Sequence, residues 1–117
     1  MLTNESQKNL VEECKIWYKS LADYREKVNK LKTELYDFAP GKTNKDVLLG
    51  IEHYHNQFHI QLINIHDLQH ELKPYIVAME RNPDVQSDMD YNEVKSKYEF
   101  LINDLDKLET DFHEFIL

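Results

Sequence analysis

Apolar residues recur along the first third of the chain at alternating steps of four and three: Leu10, Cys14, Trp17, Leu21, Tyr24, Val28, Leu31, Leu35 and Phe38. A 3.5-residue period sustained this long puts all of them on one stripe of a helix that coils left-handedly around its neighbours. The spacing predicts a helix over about 4–38, with Asn4 or Ser6 able to cap its start. Ala39-Pro40-Gly41 ends it, because proline disfavours helix in the residue before it and glycine supplies an easy turn.

A second helix is expected over about 44–81, opened by Thr43 or Asn44 and carrying the seam Leu48, Ile51, His55, Phe58, Leu62, Ile65, Gln69, Leu72, Ile76 and Met79. Pro74 removes one backbone hydrogen bond, but the phase continues through Ile76 and Met79, so a kink near Pro74 is expected and Asn82-Pro83 is the stop. A third helix over about 88–117, capped by Ser87, Asp88 or Asp90, presents Tyr91, Val94, Tyr98, Leu101, Leu105, Leu108, Phe112 and Phe115.

Three such helices on short links form an all-α, up-down-up antiparallel three-helix bundle with coiled-coil-like heptad packing. At 117 residues the chain is read as a single domain, 1–117, with one core. Helices of comparable length on short links lie antiparallel, which predicts that Trp17 shares a layer with Ile65 and Leu105, and Leu21 with Leu62 and Leu108.

Charge narrows the partners. The net charge is -8, and it is uneven: residues 1–38 carry seven basic and seven acidic groups, residues 82–117 three and ten. Such a surface repels nucleic-acid phosphates and anionic lipid headgroups, so neither nucleic acid nor membrane is expected as a partner. No apolar run approaches the roughly 20 residues of a membrane-spanning helix. The polar start lacks a secretory signal and Cys14 is the single cysteine, so a cytoplasmic location without disulfides is expected.

The most unusual feature is a concentration of histidine in the second helix. At 100° per residue His55, His59, His66 and His70 share a stripe about 60° wide, while His53 points the other way. Glu52-x-x-His55 and Asp67-x-x-His70 resemble ligand pairs of di-iron bundles, and Asp104, Glu109 and Asp111 are expected at matching heights on the third helix. The four histidines are thus the candidate metal ligands. The pairs His55/His59 and His66/His70 stand more than about 10 Å apart, however, so one ion cannot use all four. Helices one and three offer no Glu-x-x-His. The plainer reading makes these histidines boundary residues beside acids, and one between the two makes them pH sensors with an ordinary pKa near about 6.5.

The bundle is similar in architecture to spectrin repeats, including a tryptophan in the first helix, which implies scaffolding by analogy alone. The stretch His53-Tyr54-His55-Asn56-Gln57-Phe58-His59 through Ile65-His66-Asp67-Leu68 resembles a segment of short uncharacterised helical proteins of Bacteroidota. That resemblance implies a helical domain and assigns no activity, cofactor or site residue.

Other chemistry is absent from the pattern. Gly41-Lys42-Thr43 lacks the upstream glycine and strand of a phosphate loop, and Cys14 sits on a seam where packing buries it. Tyr24, Tyr91 and Tyr98 read as core aromatics with hydroxyls at the bundle edge. No nucleophilic triad or carboxylate pair is discernible, and an enzyme is not expected; nor is a cofactor. What exceeds the needs of a monomer is a set of off-seam apolar residues: Leu49, Ile60, Ile63 and Val77 on the second helix, with Ile16 and Phe100 elsewhere. Leu49, Ile60 and Ile63 are the candidate interaction residues, for a protein partner or for self-association as a homodimer. The function expected is a non-enzymatic interaction or scaffold domain, with a metal-binding bundle as the alternative.

Overall fold

The structure, a computed structural model, describes residues 4–82 and 90–117, with side chains from Leu10 onward. Among the described residues the chain forms α1 (Asn4–Phe38), α2 (Lys45–Arg81) and α3 (Tyr91–Ile116) and no strand. The bundle is a rod of 60 × 20 × 17 Å.

Each boundary has a local cause. The Ala39 N–H still reaches back to the Leu35 carbonyl, and then Gly41 turns the chain with φ +82°, a left-handed angle that side chains rarely adopt. Asn44 opens α2: the Asp46 and Val47 N–H groups donate to its Oδ1 at 2.9 and 3.2 Å. Asp90 opens α3, accepting from the Glu93 N–H at 3.2 Å. The alternative caps Ser87 and Asp88, and Pro83, lie outside the described residues, as do the side chains of Asn4 and Ser6. The α2 helix runs without a stop through Pro74 to an end at Asn82, whose N–H reaches the Ala78 carbonyl at 3.1 Å.

One core runs the length of the rod. On α1 the predicted seam is the buried face, with Val11 added and with Tyr24 and Phe38 half-buried. On α3 the seam is also as predicted, Val94, Leu101, Leu105 and Phe112 being its buried positions. The α2 face differs. Leu48 and His55 are exposed, whereas Gln61 and Leu68 are buried and Tyr54 packs on the core. The buried face of α2 is therefore wider than a single heptad seam, taking in Gln61 and Leu68 beside Phe58, Ile65, Gln69, Leu72 and Met79.

The layers also differ from those expected. Trp17 stacks on Tyr91 and Tyr98, with ring centroids 5.9 and 5.3 Å apart, and Tyr98 lies two turns before Leu105. On the α2 side, the Gln69 amide donates to the Tyr18 carbonyl at 3.2 Å, four residues beyond Ile65. The Tyr98–Ser20 and Tyr24–Asp106 pairs repeat this α1–α3 offset, so the Trp17 stack and these hydroxyl ties, not the heptad phase, set the height of α3. At the far end Phe58 meets Phe112 edge-on at 4.9 Å, Tyr54 meets Phe112 at 5.4 Å, and Phe38 meets Phe115 at 5.5 Å. Gly50 belongs to this cluster because a Cβ there would overlap the Phe115 ring.

Candidate functional site

Packing is uneven, since α1 lies mainly against α2 while α3 touches both more sparingly. The consequence is a pair of open grooves on either side of α2. Between α2 and α3 runs a groove of about 280 Å³ with Leu68 and Leu101 at its base. Phe100 stands on its α3 wall, 69% exposed. The charged lining sorts into two kinds. Lys97 is held by Glu71 at 3.3 Å and Glu93 at 3.4 Å, and these carboxylates raise its pKa, the Glu71 hydrogen bond most of all. Asp67 and Asp104 flank Phe100, and no ion pair reaches either among the described residues.

Two of the predicted interaction residues adjoin this groove. Ile60 precedes Asn64, and Ile63 precedes Asp67, by one helical turn each; they are 45% and 47% exposed and prolong the α2 wall. Leu49, 55% exposed, lies some 16 Å further along α2 beside exposed Leu48 and belongs to a separate patch.

Between α1 and α2 lies a second cleft of about 320 Å³, walled by Tyr18, Ile76 and Val77 and edged by Lys15, Lys19 and Lys73. Lys15 is engaged by Glu80 at 2.5 Å, and that hydrogen bond raises its pKa. No ion pair reaches Lys19 or Lys73 among the described residues. On a strongly acidic protein this is a local basic rim.

The predicted metal ligands do not converge with the expected carboxylates. His55, His59, His66 and His70 are all exposed; the His66 and His70 rings stack with centroids 6.1 Å apart, and the His55 ring lies 6.2 Å from Tyr36. Glu109 is turned towards α1, where Lys27 holds it at 2.8 Å. Asp104 and Asp111 line a polar groove of about 200 Å³ with Lys107, Gln57, Gln61 and His53, the histidine that lies off the stripe. Among the described residues no three His, Cys, Asp or Glu side chains gather closely enough to hold a metal ion. The donor set for a metal centre is therefore not brought together.

Hydroxyls and the last histidine tie the helices instead. The Tyr91 hydroxyl donates to the Glu13 carboxylate at 2.9 Å, the Tyr98 hydroxyl to Ser20 Oγ at 2.8 Å, and the Tyr24 hydroxyl to Asp106 at 2.9 Å. His113 joins α3 to α1 through Glu34 at 3.0 Å. Cys14 is fully buried, and burial, with Glu13 beside it, pushes its thiol up to about 11, the opposite of what a nucleophile needs. No helix among the described residues is long and apolar enough to cross a membrane.

The Phe100 groove and the lysine-edged cleft went unnoticed in the sequence because each is made by two helices. The only sequence signal was the off-seam position of Phe100 and Val77. No protein family, curated protein or solved structure matches the chain.

Proposed function

We propose that the protein is a non-enzymatic interaction domain whose α2–α3 face receives an apolar partner surface edged with basic side chains. The observation that carries this reading is Phe100, a large aromatic held out of the core above the apolar base of a groove. An exposed aromatic over a concave apolar surface is the kind of anchor that dominates binding energy at protein interfaces. Ile60 and Ile63 widen the contact, and Asp67 and Asp104 supply a charged rim that selects for lysine or arginine. A reducing compartment such as the cytoplasm suits a chain whose single cysteine is sealed in the core.

The test is an NMR titration of the labelled protein with a synthetic amphipathic helical peptide bearing leucines on one face and lysines on its flanks. A scrambled peptide of identical composition is the control. Saturable shifts confined to residues 60–71 and 96–107, and abolished by Phe100→Ser, support the reading. Equal binding of the scrambled peptide, or shifts spread over the whole acidic surface, refutes it.

A further inference from the structure

The geometry points to a second copy of the chain as the partner: Phe100 of one copy seats in the lysine-edged α1–α2 cleft of the next, so that copies associate head to tail. This rests on the reading of the Phe100 face as a docking surface and names what docks there. The two faces carry complementary chemistry. On one, a protruding aromatic stands between Asp67 and Asp104. On the other, an apolar cleft of about 320 Å³, roomy enough for a benzyl group, lies between Lys19 and Lys73. All four charges lack an ion-pair partner among the described residues, so joining the faces neutralises two of each sign.

Charge also decides against the simpler alternative of two α2–α3 faces meeting each other. That arrangement sets Asp67 and Asp104 against their own copies on a protein of net charge -8. Height along the rod decides against a symmetric dimer. The Lys97–Glu71 pair places Phe100 level with Leu68, whereas the cleft is centred near Ile76, about 12 Å away along α2. A two-fold axis parallel to the rod would leave each Phe100 that far from its cleft, and one perpendicular to the rod levels the heights but sets the two Phe100 grooves along the same edge, because groove and cleft lie on opposite sides of α2. The junction is therefore heterologous: every copy offers its aromatic to one neighbour and its cleft to another.

A heterologous junction has a diagnostic consequence for mixtures. By analytical ultracentrifugation at low salt, the wild-type mass should rise above 14.1 kDa with concentration and fall back when salt is added. Phe100→Ser and the double variant Lys19→Glu/Lys73→Glu should each remain at 14.1 kDa, with helicity unchanged by circular dichroism. All three substitutions fall on exposed side chains, so folding is preserved. An equimolar mixture of the two variants retains one intact junction, the aromatic from one and the cleft from the other. It should yield a 1:1 dimer and nothing larger. A wild type that stays monomeric at millimolar concentration overturns the inference, as does a mixture that stays monomeric or a single variant that associates like the wild type. If self-association fails while the leucine-lysine peptide still shifts the Phe100 face, the docking surface stands and its assignment to a second copy falls.

Discussion

Phe112→Ala is the sharpest probe of how α3 is held. Phe112 is fully buried, with Phe58 edge-on at 4.9 Å and Tyr54 at 5.4 Å. Losing a buried phenylalanine side chain removes up to about 3 kcal/mol of burial, and two edge-on ring pairs add about 0.5–1.5 kcal/mol each. The sum is about 4 kcal/mol, within the range of roughly 3–5 kcal/mol seen for such truncations. A domain this size is stable by roughly 5–15 kcal/mol, so the variant loses a quarter of its stability or more, and about 15 °C of melting temperature. Denaturant unfolding should be followed both by circular dichroism and by the fluorescence of Trp17, the single tryptophan, which lies between Tyr91 and Tyr98 at the other end of α3. Both midpoints should shift together, because one core joins the two ends. Phe112→Leu keeps much of the volume and should cost about 1–2 kcal/mol, chiefly the ring pairs. A cost below about 1 kcal/mol for Phe112→Ala refutes the packing of this end, and separated midpoints refute the single core.

Two further outcomes follow from the same structure. Alanine is a better helix former than glycine by about 1 kcal/mol, yet Gly50→Ala should lower stability by about that amount because the new methyl displaces the Phe115 ring. In a Phe115→Ala background the same change should become stabilising by about 1 kcal/mol, and denaturant melts of the four chains decide it. Burial, with the hydrogen bond to Asp106, pushes the Tyr24 hydroxyl from 10.0 up to about 12, so the unfolded chain loses this proton first. Its stabilisation is complete below pH 10 and is lost as the pH rises towards 12; Tyr54 and Tyr91 are raised in the same direction. Denaturant midpoints measured across that interval should fall steeply for the wild type and less steeply for Tyr24→Phe. Equal slopes would mean that the hydroxyl is not held.

The stripes of α1 and α3 were legible because a single 3.5-residue phase describes their buried positions, Val11 apart. The α2 stripe was half legible. Its apolar residues ring much of the helix, and the heptad phase chose Leu48 and His55 where the wider face that packs on the core takes in Tyr54, Gln61 and Leu68. Register was lost for a different reason: periodicity positions residues around an axis and says nothing of height, which cross-helix ties such as Trp17–Tyr98 and Tyr24–Asp106 mark. The same gap hid the sites. Phe100 is visible in the sequence as one off-seam aromatic, but its flanking by Asp67 depends on how far α3 slides along α2. The four stripe histidines are exposed, and where the carboxylates of α3 fall relative to them is again a matter of height and side.

The uneven division of packing between the helices also orders the folding reaction. Only the turn from Ala39 to Asn44 separates α1 from α2, and most of the interhelical packing is theirs. Their hairpin should therefore close early, with little loop entropy to overcome, and form the folding nucleus, with α3 docking after the barrier, which φ-values would read out. Substitutions at Leu31 or Ile65 then slow folding, whereas those at Leu105 or Phe112 quicken unfolding. The helix that carries Phe100 is the last to arrive and the first to leave.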